Sequence, residues 1–387
     1  MQMTGPIRRE LHALWHSPWQ LALVTYVPLL SVLALWWLFS AGLPRQLPVA
    51  LVDLDHSRVS RMLGRQLAAN AVTAPVAFAD LPAAVAAMRR AEVYALVLLP
   101  KDLQRDLLRG AGHSPSIDIR YNSQFLLMGK LLSSQLQQSL GAGLLELAGL
   151  KQLVSGVPRA RVAVNLRPVQ SQTTALFNRN SNYVGFLVPP VLIALWQLLA
   201  MLVFANSFNR ELTPAPHDSG LSLAFWPKLL AKLGVYLPLL ALHGAGILCF
   251  LYLYLGLPFA GSLSVLVIAQ CCMLLAIWCL VLTVFLLMAD SARVVSFCTA
   301  LFAPAFAFMG ITFPVHEMPS AAQYWRLLMP SSHYIDAHVA QVSYGLGWPS
   351  LPAQLASYWG YLLLLPVIYL LGRRLQTRLQ PGCEVKP

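Results

Sequence analysis

Charge is absent from five long stretches of this chain, and that absence constrains its fold more than any motif does. No Asp, Glu, Lys or Arg occurs in residues 11–44, 180–209, 233–289, 294–316 or 337–372. A helix that crosses the hydrocarbon core of a bilayer needs about 20 mostly apolar residues, and each gap holds at least one such helix. The third gap is too long for one crossing of about 30 Å, and it divides at Gly256-Leu257-Pro258 and Gly261-Ser262. The spacing therefore predicts a polytopic α-helical membrane protein with six transmembrane helices: Trp19–Ala41, Tyr183–Ala205, Leu229–Leu255, Leu263–Met288, Val294–Phe313 and Gln354–Leu371. Composition agrees, with 57% of the 387 residues hydrophobic and 11% charged, where a soluble domain carries about 25% charged residues. A disordered chain, a nucleic-acid-binding domain and an ordinary cytosolic enzyme are excluded. Leu21–Phe39 is longer than the apolar core of a signal peptide and has no clear small-x-small cleavage site, so it reads as a retained span.

The remaining basic residues set the orientation. Arg8 and Arg9 precede the first span, and Arg210 and Lys228 lie between the second and third, with Lys232 just inside the latter. Arg293 separates the fourth and fifth, and Arg373, Arg374, Arg378 and Lys386 follow the sixth. The turn between the third and fourth spans has no charge, and residues 314–353 carry only Arg326 against Glu317 and Asp336. This bias places both termini in the cytoplasm and residues 42–182 outside. That outer domain holds 16 of the 27 basic and 8 of the 15 acidic residues, so +8 of the net +12 lies there. A basic surface on the outer side does not meet DNA. It is either simply solvated or faces anionic lipid or an acidic partner. The cysteines are Cys249, Cys271, Cys272, Cys279 and Cys298 in spans and Cys383 in the tail, which leaves the outer domain without a disulfide.

Residues 1–18 read as an amphipathic interfacial helix, with Ile7, Leu11, Leu14 and Trp15 at helical spacing and Pro18 closing it off. Residues 42–182 alternate between strand and helix patterns and predict a small inserted α/β domain. Its strands are expected at Pro48–Asp53, Val93–Leu99, Ser116–Tyr121 and Val162–Leu166. Its helices are expected over Arg58–Asn70 behind an Asp55-His56-Ser57 cap, over Leu81–Glu92, from Pro100 to about Gly110, and over Ser123–Val154. Residues 183–387 supply the other five spans. Within them, residues 314–353 form outer, re-entrant-like helices Ser320–Met329 and Ser331–Tyr344, and a short tail ends the chain. Pro189-Pro190, Pro238, Pro304 and Pro366 fall inside spans and favour kinks.

No GxxxxGK[ST], GxSxG or HExxH motif is present, so the chain has no phosphate-binding loop of its own, and neither cofactor nor metal is implied. His333, Asp336 and His338 form an H-x-x-D-x-H pattern that suits packing and capping better than metal binding. His243 is the one ionisable group expected at a span centre, and Asp290 and Arg293 are placed to pair or cap across a short turn. So sparse a set disfavours ion-coupled transport.

The order of elements resembles the ABC type-2 exporter permeases. Val52-Asp53-Leu54-Asp55-His56-Ser57 is similar to the family's strand-to-helix turn. Tyr94–Pro100 followed by Asp102, Leu103 and Asp106 is similar to its second strand and helix start. Gly310-Ile311-Thr312-Phe313-Pro314 with Met318-Pro319, then Pro330 and His333-Tyr334, resembles its signature after the fifth span. The resemblance implies that the chain is a membrane subunit without enzymatic activity. It implies separate ABC ATPase subunits, and a second permease copy or paralogue. A periplasmic adaptor and outer-membrane channel are the further partners it suggests. It assigns ATPase coupling to the N-terminal helix, with Arg9 and Glu10, and to the first cytoplasmic loop, with Arg210, Glu211 and Thr213. The loop lacks the family's glycine and carries Pro214, Pro216 and His217 instead. Trp196, Phe302 and Phe306 are the candidate lining of the substrate path. The alternative is a receptor or assembly scaffold with a ligand-binding outer domain, and a membrane-embedded lipid enzyme is a third reading. Six spans exceed what an anchor needs, and the spans hold no paired acidic or nucleophilic site.

Overall fold

A computed structural model describes residues 4–39, 45–109, 116–123, 126–158, 161, 183–212 and 225–378. The chain forms two compact units, one from Met1–Gly42 with Ala175–Pro387 and the other from Leu43–Thr174.

The first unit opens with helix α1 (Thr4–Trp15), followed by α2 (Pro18–Val24) and α3 (Tyr26–Phe39). The axes of α2 and α3 differ by 44°, so the predicted first span is two helices meeting at a bend. The cause is local. Pro28 has no N–H to offer the carbonyl one turn back, and the Thr25 hydroxyl bonds the Leu21 carbonyl at 2.6 Å in place of a straight continuation.

The second unit is built on a sheet ordered β2-β1-β3-β4. Its strands are β1 (Leu47–Asp53), β2 (Thr73–Phe78), β3 (Ala95–Leu99) and β4 (Asp118–Tyr121). Helices α4 (Arg58–Ala68), α5 (Leu81–Arg89), α6 (Leu103–Arg109) and α7 (Leu126–Val154) alternate with them. β1 pairs in parallel with β2 and β3, and β3 pairs antiparallel with β4. Successive strand residues face opposite sides, which divides the core in two. Val49, Ala95, Val97 and Leu99 pack with Leu63 and Leu67 of α4 and with Leu132, Leu136 and Leu140 of α7. Ala50, Val52 and Leu96 pack with Ala84 and Ala87 of α5. Burial on both faces is why β1 and β3 read as unbroken apolar runs.

The Val52–Ser57 motif proves to be a hydrogen-bonded turn. Asp53 Oδ1 accepts from the Asp55 and His56 amides, each at 3.0 Å, and Oδ2 accepts from the Ser60 hydroxyl at 2.7 Å. Ser57 caps α4 by accepting from the Ser60 amide at 3.1 Å. Two sequence expectations change here. β2 has no counterpart in the sequence reading; it carries Pro75, which an edge strand tolerates and a central one does not. The helix expected from Pro100 begins only at Leu103, because Asp102 takes a left-handed conformation at φ +62°. The strand expected at Val162–Leu166 lies outside the described residues.

The first unit resumes with α8 (Tyr183–Asn209), α9 (Phe225–Leu248), α10 (Leu263–Met288) and α11 (Ser291–Phe302), with α12 (Ala305–Phe308) directly after it. Short helices α13 (Ser320–Leu327) and α14 (Pro330–Val342) follow, then α15 (Leu351–Ala356), α16 (Trp359–Leu362) and α17 (Leu364–Arg378). The described residues contain four helices long and apolar enough to cross a membrane, or up to six if each bent pair is one span. The second bent pair, Trp348–Ala356 with Trp359–Gln376, is bent by 46° where the sequence reading has one straight helix. α10 is apolar on every side because it runs through the packed centre of its unit, against α8, α9, α14 and α17. Met273, Leu274, Ile277, Val281, Leu282 and Phe285 along it are fully enclosed. Asp290 caps α11 through the Arg293 amide at 2.9 Å. The helix expected over Val294–Phe313 stops at Phe308, leaving Phe313 in a turn.

Truncating Leu63 to alanine opens a cavity between α4, α7 and the sheet and costs about 2–5 kcal/mol. Hydrogen exchange is expected to accelerate at β1, β3 and α7 while Leu263–Met288 keeps its protection.

Candidate functional site

The site begins with a charge in an apolar helix. Lys232 lies on α9, and its side chain is 1% exposed. An isolated ammonium in such a position costs several kcal/mol, so it must find anions. It has two. Glu10 on α1 accepts from Nζ at 2.9 Å, and Glu211, just past the end of α8, lies 3.0 Å away. Both carboxylates are themselves buried, at 7% and 6% side-chain exposure.

The remaining bonds close a network. Tyr236 stands four residues after Lys232, on the same helical face, and its hydroxyl donates to Glu10 Oε1 at 2.9 Å. Arg210 Nη2 donates to the same Glu10 oxygen at 2.5 Å and to the Tyr236 hydroxyl at 2.6 Å. Arg9 approaches Glu211 at 3.6 Å from a half-exposed position, where a pair contributes little. Among the described residues the cluster thus has three cations and two carboxylates, drawn from α1, the end of α8 and the first half of α9. Leu14, Phe208 and Phe225, on the same three helices, belong to one hydrophobic core.

Of the residues expected to couple the chain to an ATPase, Arg9, Glu10, Arg210 and Glu211 therefore meet in one place, and Thr213 lies outside the described residues. Sequence reasoning missed Lys232 and Tyr236 as members. The available signal was a lysine within an apolar helix with a tyrosine one turn later.

The signature after the fifth span is a separate structural locus. Gly310 has φ +87°, and a Cβ there would sit 2.5 Å from Val315 Cγ2, so only glycine makes this turn. Phe313 is half-exposed, Met318 is buried, and Pro314 and Pro319 flank the turn of 3₁₀-helix Val315–Glu317 that leads into α13. Arg326 on α13 binds Asp336 on α14 at 2.5 Å, and Gln197 of α8 accepts from the Ser331 amide at 2.8 Å. Among the described residues, no cluster of three metal-ligating side chains exists. His333 bonds the Leu327 carbonyl at 3.0 Å, and His338 bonds the Tyr252 hydroxyl at 2.6 Å. Burial lowers both imidazoles below the usual histidine range, His338 to about 4, so they are uncharged at neutral pH. Trp196 and Phe302 are buried in the core of their unit and Phe306 is partly so.

A Glu10→Gln change leaves two cations facing one carboxylate fewer and is expected to cost about 3–5 kcal/mol. Combining it with Lys232→Met should recover part of that loss, with a coupling energy of about 1–3 kcal/mol. Thermal unfolding of the detergent-purified single and double variants measures both quantities.

Residues 18–372 match a family model described as ABC-2 family transporter protein. No curated protein matches the chain significantly.

Proposed function

This chain belongs to the ABC-2 transporter family as a membrane permease subunit, and we propose that it exports a hydrophobic or amphipathic substrate by alternating access. Family membership implies an ABC ATPase partner, and in our reading all ATP chemistry resides there. Two permease copies, or one copy and a paralogue, enclose the path. The chain crosses a bacterial inner membrane six times, with each bent pair counted as one crossing, and both termini are cytoplasmic. The Leu43–Thr174 unit then faces the periplasm, where its basic surface meets an adaptor that leads to an outer-membrane channel.

The observation that carries this reading is the buried network of Glu10, Glu211, Arg210, Lys232 and Tyr236. It binds the N-terminal helix to both ends of the loop between α8 and α9. An ATPase that pushes on that loop moves α1, α8 and α9 together, because separating them strands buried charges. The carboxylates are both committed to cations in the network, so its role is mechanical rather than catalytic.

Co-expression with the cognate ATPase is expected to yield a complex with permease-dependent ATP hydrolysis. Arg210→Ala should preserve the complex and lower that hydrolysis at least tenfold. Failure to bind any ABC ATPase would contradict the reading. Orientation is checked by thiol labelling in intact cells after the native cysteines are replaced. A membrane-impermeant maleimide should reach Arg105→Cys from outside and Arg373→Cys only after permeabilisation.

A further inference from the structure

A proline pair, a π-helical segment and a left-handed turn of the first unit border one cavity. α8 carries consecutive prolines, Pro189 and Pro190, whose missing N–H groups remove two helical bonds from one turn. α9 gives way at Cys249–Tyr254 to a π-helix, in which the Leu255 amide donates to the Phe250 carbonyl five residues back at 2.9 Å. Such π segments are rare and concentrate at functional sites. Gly310 adds a left-handed turn. With α14, these segments line an open-mouthed cavity of about 360 Å³, within the size range of small-molecule sites.

The lining has a definite chemistry. Among the described residues it is mostly apolar and contains no Asp, Glu, Lys or Arg. Its buried polar feature is the Tyr252–His338 pair, with hydroxyl and Nε2 2.6 Å apart, and both residues line the cavity. With the imidazole neutral, the pair provides uncharged donor and acceptor capacity in either tautomer. A charged ligand would lose part of its hydration here and find no counter-ion among the described residues. A neutral one would lose only what a hydrogen bond to the pair restores.

We propose that this cavity, at the outer ends of the spans, is a binding site for an uncharged amphiphile, its apolar body between α8 and α14 and its hydroxyl or amide at the Tyr252–His338 pair. The site is complete within one chain. It needs neither ATPase nor second copy, so a failure to bind is distinct from a failure to transport.

The test uses the full chain in phosphatidylcholine nanodiscs and a 1-decanol derivative carrying an alkyl diazirine, with labelled peptides mapped by mass spectrometry. Labelling is expected to saturate and to fall on the segments around Gly185–Pro190, Tyr252–Pro258 and Ile335–Tyr344. Unmodified 1-decanol should block it, whereas decanoate and decyltrimethylammonium should not at tenfold higher concentration. Tyr252→Phe should weaken binding by roughly five- to tenfold, the effect of one hydrogen bond. Gly185→Leu should abolish it by filling the space, since a Cβ at Gly185 approaches only Leu257, at 4.0 Å. Val342→Phe fills the cavity from α14 and serves if the first variant misfolds. Label spread evenly along lipid-facing helices, or equal competition by the ionic analogues, would overturn the proposal. A neutral lipid extracted with the purified chain would assign the site to a bilayer component. Label chased out by ATP in the ATPase complex would assign it to cargo. Both of those results uphold the site.

Discussion

A lysine ammonium enclosed in apolar surroundings must be neutralised where it stands, and the cytoplasmic-end architecture proposed for this permease depends on how that is done. Lys232 cannot reach water from its place on α9. Its anions come from 222 residues away at Glu10 and from Glu211 just beyond α8. Each carboxylate in turn needs more than one cation or donor to offset its own burial, which brings in Arg210, Tyr236 and Arg9. The N-terminal helix, which buries Leu14 but leaves Leu11 and Trp15 exposed, is thereby fixed to a particular pair of helices. Hydrophobic packing alone would allow it to slide or turn; directional hydrogen bonds to Glu10 do not.

The same economy of charge holds elsewhere in the first unit. Arg326 and Asp336 pair between α13 and α14, Asp290 is spent on a helix cap, and His333 and His338 are neutral. Polar groups in the apolar regions serve mainly as joints between helices: Gln197 to the Ser331 amide, Tyr252 to His338 and Gln341 to the Ser262 amide. Each of these bonds ties two separate elements together and leaves fewer buried polar groups without a partner.

Much of the fold was legible because its signals are collective. Long uncharged runs locate α8, α9 and α10, and apolar runs bounded by turn residues locate β1 and β3. What escaped were features set by single residues. Pro75 disguised an edge strand, a positive φ at Asp102 delayed a helix, and local proline and threonine chemistry bent a span that reads as straight. The coupling residues followed the same division. Arg9, Glu10, Arg210 and Glu211 stand out in sequence through the resemblance of the N-terminal helix and the Arg210-Glu211 pair to the family's coupling regions. Lys232 served only as an orientation marker there, since nothing in one dimension shows that it points inward to meet Glu10. The π-helix at Cys249–Tyr254 has no sequence signal that we recognise.

The central claim is that the buried network makes α1 and the base of α9 one mechanical body. Dipolar EPR between spin labels on Leu11→Cys and Leu230→Cys tests it most directly, in the assembled transporter with the native cysteines replaced. Both positions are exposed, at 49% each, so labels do not disturb the network. The account predicts one narrow distance distribution that is the same without nucleotide and with trapped ATP. A distribution that broadens or shifts when ATP binds would show that the two helices move independently, and would contradict it.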